Sequence, residues 1–252
     1  LQPSCQQQDY NLADQTPPAG NWNSGTTAPV FNAPASVLAL IGLLVAVHAL
    51  LAVLGEVWQV WSLYALALNP VRFTDPGFPM PAGSQYWTLV TYMLLHGDWM
   101  HLTFNGLWLL VFGTPVARYL GSWRFLWLSL AAGVLGGLAS IALHWGQQVF
   151  VIGASGAVSG LLAAAIPIMY GRRVPGGGRP LSIGEFLTSP RALMFTAIWL
   201  SLTLVSGASG WTGNSFLSEG GIAWEAHVGG FVGGFLAFYA LAPRGRAPAP
   251  KS

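Results

Sequence analysis

Six apolar runs divide residues 37–242 of this chain, and they leave few folds open to it. They fall at Val37–Leu54, Trp99–Val116, Trp123–Trp145, Ser155–Tyr170, Ala192–Val205 and Trp224–Ala242. Crossing a hydrocarbon core of about 30 Å takes roughly 20 helical residues. Backbone groups in lipid must bond to one another, so continuous runs of this length predict helices. Only 7% of the 252 residues are charged, too few to clothe a water-soluble fold, in which about 25% is usual. The expectation is an all-α membrane protein built as a bundle of six transmembrane helices.

The intervening segments complete the plan. Residues 1–35 are polar, carry no signal-peptide pattern and read as a disordered tail. Residues 36–243 form the membrane domain, and 244–252 a short basic tail. Within the domain, segment 55–98 carries several tryptophans, Asn69-Pro70 and Asp75-Pro76-Gly77, which predicts a long interfacial first loop with short amphipathic pieces. A single cysteine, Cys5, rules out an internal disulfide and a thiolate metal cluster. A net charge of +2 offers nothing to nucleic acid.

Direction follows from the basic residues. Arg118, Arg124, Arg172, Arg173, Arg179, Arg191, Arg244, Arg246 and Lys251 fall on one side, and only Arg72 on the other. The positive-inside rule makes the crowded side cytoplasmic. Spans two, four and six then begin on the extracytoplasmic side. His101 and Asn105 lie near the head of span two, Ser155 heads span four, and His227 lies one turn into span six. Span four is short, so Ser155 is expected below the outer surface, with Gln147–Ile152 dipping inward and a water-filled cavity reaching it.

Those residue types suit nucleophilic hydrolysis. Serine needs a base to take its proton, and neutral histidine serves near pH 7. A serine in the first helical turn sits beside free backbone N–H groups that can hold an oxyanion. His101 and Asn105, four apart, share a helical face and can donate to the same oxyanion. Gly156 and Gly160, with Gly229, Gly230, Gly233 and Gly234, give spans four and six close-packing faces.

The ordered set His96-Gly-Asp-Trp-Met-His101-Leu-Thr-Phe-Asn105, Phe112-Gly113, Gly121, Gly153-Ala-Ser155-Gly156 and Ala226-His227-Val-Gly229 resembles the rhomboid intramembrane proteases. The resemblance covers roughly residues 84–240 and implies a six-helix rhomboid-like bundle with no cofactor. It implies Ser155 as nucleophile, His227 as general base without an aspartate, and His101 and Asn105 with the Ser155 amide as the oxyanion site. His96 matches a structural histidine of the first loop. Substrates would be single-span membrane proteins in the lipid bilayer, cut near the extracytoplasmic surface. The bias toward Ala, Gly, Trp and Leu suggests a bacterial inner membrane as the setting. Three positions depart from the family pattern: Thr88 stands where many bacterial members carry arginine, Ala117 for a glutamate, and Ser159 for the aromatic that often stacks on the catalytic histidine. Ser159 would help retain water at Ser155.

Blander readings compete. Ser155 taken alone suits helix packing. His48 and His144 have no partner visible in the sequence and read as packing or interfacial residues. His96, Asp98, His101, Glu225 and His227 would gather on the outer side, yet no His-Glu-x-x-His is present, and an offset of five separates His96 from His101, against a metal site. The alternative of another class is a rhomboid-like pseudoprotease that binds transmembrane helices without cleavage.

Overall fold

The computed structural model describes residues 33–174, 177–211 and 223–243. The expected tails lie outside these residues, except for 33–35. Helix α1 (Ala35–Leu54) is followed by α2 (Glu56–Leu66), α3 (Ser84–Thr91), α4 (Trp99–Leu120), α5 (Ser122–Leu143) and α6 (Ser155–Met169). A hairpin of β1 (Arg172–Val174) and β2 (Gly177–Arg179) precedes α7 (Ile183–Thr188), α8 (Pro190–Trp211) and α9 (Trp224–Leu241). Each predicted apolar run falls inside one of α1, α4, α5, α6, α8 and α9, or passes its C-terminal end by at most two residues.

Local chemistry sets the ends. Gly55 and Gly121, at φ 86° and 80°, separate α1 from α2 and α4 from α5, a backbone region closed to most side chains. Asp98 caps α4 by accepting the His101 N–H at 2.7 Å. Three helices are long and apolar enough to cross a membrane by length and composition: α1, α5 and Pro190–Gly207 of α8. Helix α6 is shorter, at 15 residues. Helices α4 and α9 have the length, but carry His101, Asn105 and Arg118, and Glu225 and His227, respectively.

Segment 55–98 is more ordered than a loop with amphipathic pieces. Besides α2 and α3 it holds two 3-10 turns, Pro70–Phe73 and Tyr92–Leu94. Trp87 Nε1 donates to Ala65 O at 2.7 Å, and Thr91 Oγ1 to Leu66 O at 2.8 Å, pinning α3 to α2. Tyr92 OH donates to Gly133 O of α5 at 2.7 Å. Thr88, where an arginine is common, is buried and bonded to Ser84 O within its own helix. Ala117 is likewise buried, among the core side chains of α4. A hydroxyl bonded to the backbone and a buried methyl thus stand at two positions where the family pattern places charges.

Helix α6 runs through the centre of the packing, with every residue from Gly156 to Pro167 buried. Glycine lets α9 and α5 reach it. A Cβ on Gly230 would collide with Gly156 O, and one on Gly234 with the Gly160 backbone. Gly229 and Gly233 face the other way, onto Ala139 and Leu135 of α5. The glycine pairs expected to join spans four and six therefore split between two seams. A helix with glycines at four of six successive positions has room for a neighbour on two sides.

Candidate active site

Ser155 opens α6, and what precedes it aims it. The segment before it is held by paired bonds between Leu68 and Val151, with Val151 N donating to Leu68 O at 2.8 Å. Gly153 N then donates to Tyr92 O at 3.0 Å. Gly153 takes φ 113°, and a Cβ there would stand 2.7 Å from His101 Nε2 and 3.7 Å from Ser155 Oγ. The glycine is needed both for the turn and for the space, and that space is bordered by the serine hydroxyl and the histidine ring.

His101 has a defined tautomer. Its Nδ1 accepts the Gly97 N–H at 3.4 Å, which leaves the neutral ring's proton on Nε2, the nitrogen facing Gly153. Asn105, one turn on, is buried and donates one side-chain N–H to His101 O at 2.9 Å. His96 packs edge-on against His101, ring centroids 5.0 Å apart. Burial first, and the neighbouring His101 second, push the His96 imidazole down to about 4, so it stays neutral.

On α9, Ala226 O lies against both Gly136 and Gly156, so the turn carrying His227 meets the head of α6. Among the described residues no hydrogen bond of 3.5 Å or less joins Ser155 Oγ to His227. Catalytic hydrogen bonds are often longer before substrate binds. The Ser159 hydroxyl donates to Ser155 O at 2.8 Å and its side chain is buried. A mid-helix serine readily bonds the carbonyl four residues back, and that bond leaves the hydroxyl oxygen as an acceptor only.

A family model described as the Rhomboid domain matches residues 83–244, well over half of the chain. The chain belongs to the rhomboid family. His96, His101, Asn105, Ser155, Ser159 and His227 lie inside that match, and the rhomboid chain is an integral membrane protein. It is similar to the rhomboid protease GluP of Bacillus subtilis, 32% identical over 64% of this chain and 27% of the relative. It is similar also to the rhomboid proteases GlpG of Serratia proteamaculans (33% identical) and Pectobacterium atrosepticum (31%), each over 60% of this chain and 47% of the relative. The chain thus spans less than half the length of these relatives.

Two histidines acquire partners that the sequence did not reveal. His48 of α1 packs edge-on against Trp99, centroids 4.6 Å apart. His144, at the end of α5, places Nε2 3.3 Å from Glu225 Oε1 of α9, and Ser140 Oγ donates to the same oxygen at 2.9 Å. A glutamate in an otherwise apolar helix, facing Ser140 and His144 four apart, was the available signal. Among the described residues no group of three or more His, Cys, Asp or Glu is arranged to hold a metal.

Proposed function

We propose that this rhomboid chain is an intramembrane serine endopeptidase in which Ser155 is the nucleophile, His227 the general base, and His101 and Asn105 oxyanion donors. Its substrates are single-span membrane proteins of a bacterial inner membrane, cut near the extracytoplasmic surface. Helices α1, α4, α5, α6, α8 and α9 each cross the bilayer in a membrane domain spanning 36–243. The arginines at the cytoplasmic ends fix the direction. One observation carries the reading: Ser155 Oγ and Nε2 of His101 border the same space at the Gly153 turn. The turn of α9 bearing His227 packs beside it, on Gly156.

The reaction follows from those positions. His227 takes the Oγ proton as Ser155 attacks the scissile carbonyl carbon, and the oxyanion is held by His101 Nε2–H, the free N–H of Asn105 and the backbone amide of Ser155. The C–N bond breaks as His227 returns that proton to the leaving amine, leaving an acyl ester on Ser155. Water, deprotonated by His227, attacks the ester, releasing the carboxyl product and restoring the serine. The relatives' names as rhomboid proteases support this chemistry.

The test is labelling by a fluorophosphonate probe, with cleavage of a transmembrane reporter, in detergent. The parent should label and cut, while Ser155→Ala and His227→Ala should do neither. A folded parent that binds the reporter without labelling or cutting would replace the dyad with a helix-binding, non-cutting role.

A further inference from the structure

Glu225 is an ionisable side chain inside the helix packing that the mechanism leaves unused. Only 4% of it is exposed. A buried carboxyl group is costly unless its oxygens find partners, and here Ser140 Oγ donates to Oε1 at 2.9 Å while His144 Nε2 stands 3.3 Å from the same oxygen. His144 is itself held from behind, its Nδ1 3.1 Å from Gln147 Oε1. The cluster therefore ties the head of α9 to the end of α5 through Ser140 in its last turn and His144 at its C-cap.

Its position matters because of what lies deeper along the same seam. Gly136 stands against Ala226 O, Gly229 against Ala139, and Gly233 against Leu135. A seam of glycines sets how close two helices come, but offers few interlocking side chains to stop one sliding along the other. Directional polar bonds supply register where apolar packing does not. His227 lies two residues beyond Glu225, about 3 Å along the helix axis. A slip of one residue moves it by about 1.5 Å. Misplacement of a catalytic group by about 1 Å can cost 100-fold in rate.

We infer that Glu225, clamped between Ser140 and His144, is a positioning residue that fixes the axial register of α9 and so the placement of His227 against Ser155. This rests on the dyad reading above. It acts through geometry, so an amide of equal length substitutes for the carboxylate, whereas a shorter carboxylate does not.

The experiment uses the full chain in detergent, with a fluorophosphonate to titrate competent sites and a fluorogenic transmembrane peptide for turnover. Counting only titrated sites separates positioning from simple loss of fold. Glu225→Gln should keep kcat per titrated site within about 3-fold of the parent, because its carbonyl still accepts from Ser140. Glu225→Asp and Glu225→Ala should lower it about 10- to 100-fold with KM near the parent value. If Glu225→Ala yields no folded protein, Ser140→Ala carries the same prediction at about 3- to 10-fold. Parental turnover per site in the Asp and Ala variants, or in Ser140→Ala, overturns the inference. So does a Gln variant as impaired as Ala, which would make charge the operative property. A folded parent inert to both probe and peptide removes the dyad reading and the positioning role together.

Discussion

Helices α5, α6 and α9 and the outer helices α1 and α8 are packed in different ways. In α5 44% of the most apolar window is buried, against 17% in α1 and in the described part of α8. The inner three approach through glycine, backbone against backbone, and the candidate site residues Ser155 and His227 both stand on them. The outer two meet the bundle through side chains, such as Trp199 of α8 stacked on Phe231 of α9 at 4.6 Å. Close backbone contact has no slack, since a buried helix cannot relax around one added atom as a lipid-facing one can. A rigid seam is where a dyad drawn from two helices can keep its geometry.

That contrast can be broken at single positions. Gly230→Ala places a methyl on Gly156 O and should destabilise the fold by about 3 kcal/mol, measured by unfolding in mixed detergent. Parent-like unfolding would mean the seam is looser than its geometry. Trp199→Ala removes one ring stack at the outer rim and should cost about 1 kcal/mol in the same assay. A loss as large as that of Gly230→Ala would make α8 part of the rigid core. Gly42→Ala in α1 meets nothing within 4 Å and should shift stability by less than about 1 kcal/mol.

The smallest effect belongs to the polar end of the molecule. Glu185 accepts two hydrogen bonds from Arg179, at 2.6 and 2.9 Å, and closes a capping box with Ser182. The Arg179 guanidinium, first, and the Ser182 bonds hold its carboxyl down at about 2, against an ordinary 4.5. A depressed carboxylate stabilises the folded loop above its ordinary value and loses that contribution as pH falls through the folded one. The pair should therefore be intact at neutral pH and come apart between about pH 4.5 and 2. A carboxyl-detected NMR titration of Glu185 should inflect near 2, and an inflection near 4.5 would dissolve the pair.

By itself the sequence determined the six long apolar helices, their order and the candidate reacting residues. Apolar length and the chemistry of Ser155, His101, Asn105 and His227 are local properties that survive without knowing any neighbour. It did not determine which face of α9 meets which helix. Gly229 and Gly230 are adjacent and chemically identical, yet one packs on α5 and the other on α6. Nor did it find partners for His144 and Glu225, which lie 81 residues apart. Nor did it reveal that the Ser159 hydroxyl donates to Ser155 O. Rotation and register of one helix against another are set by close contacts summed over whole faces, and only the tertiary structure makes those contacts.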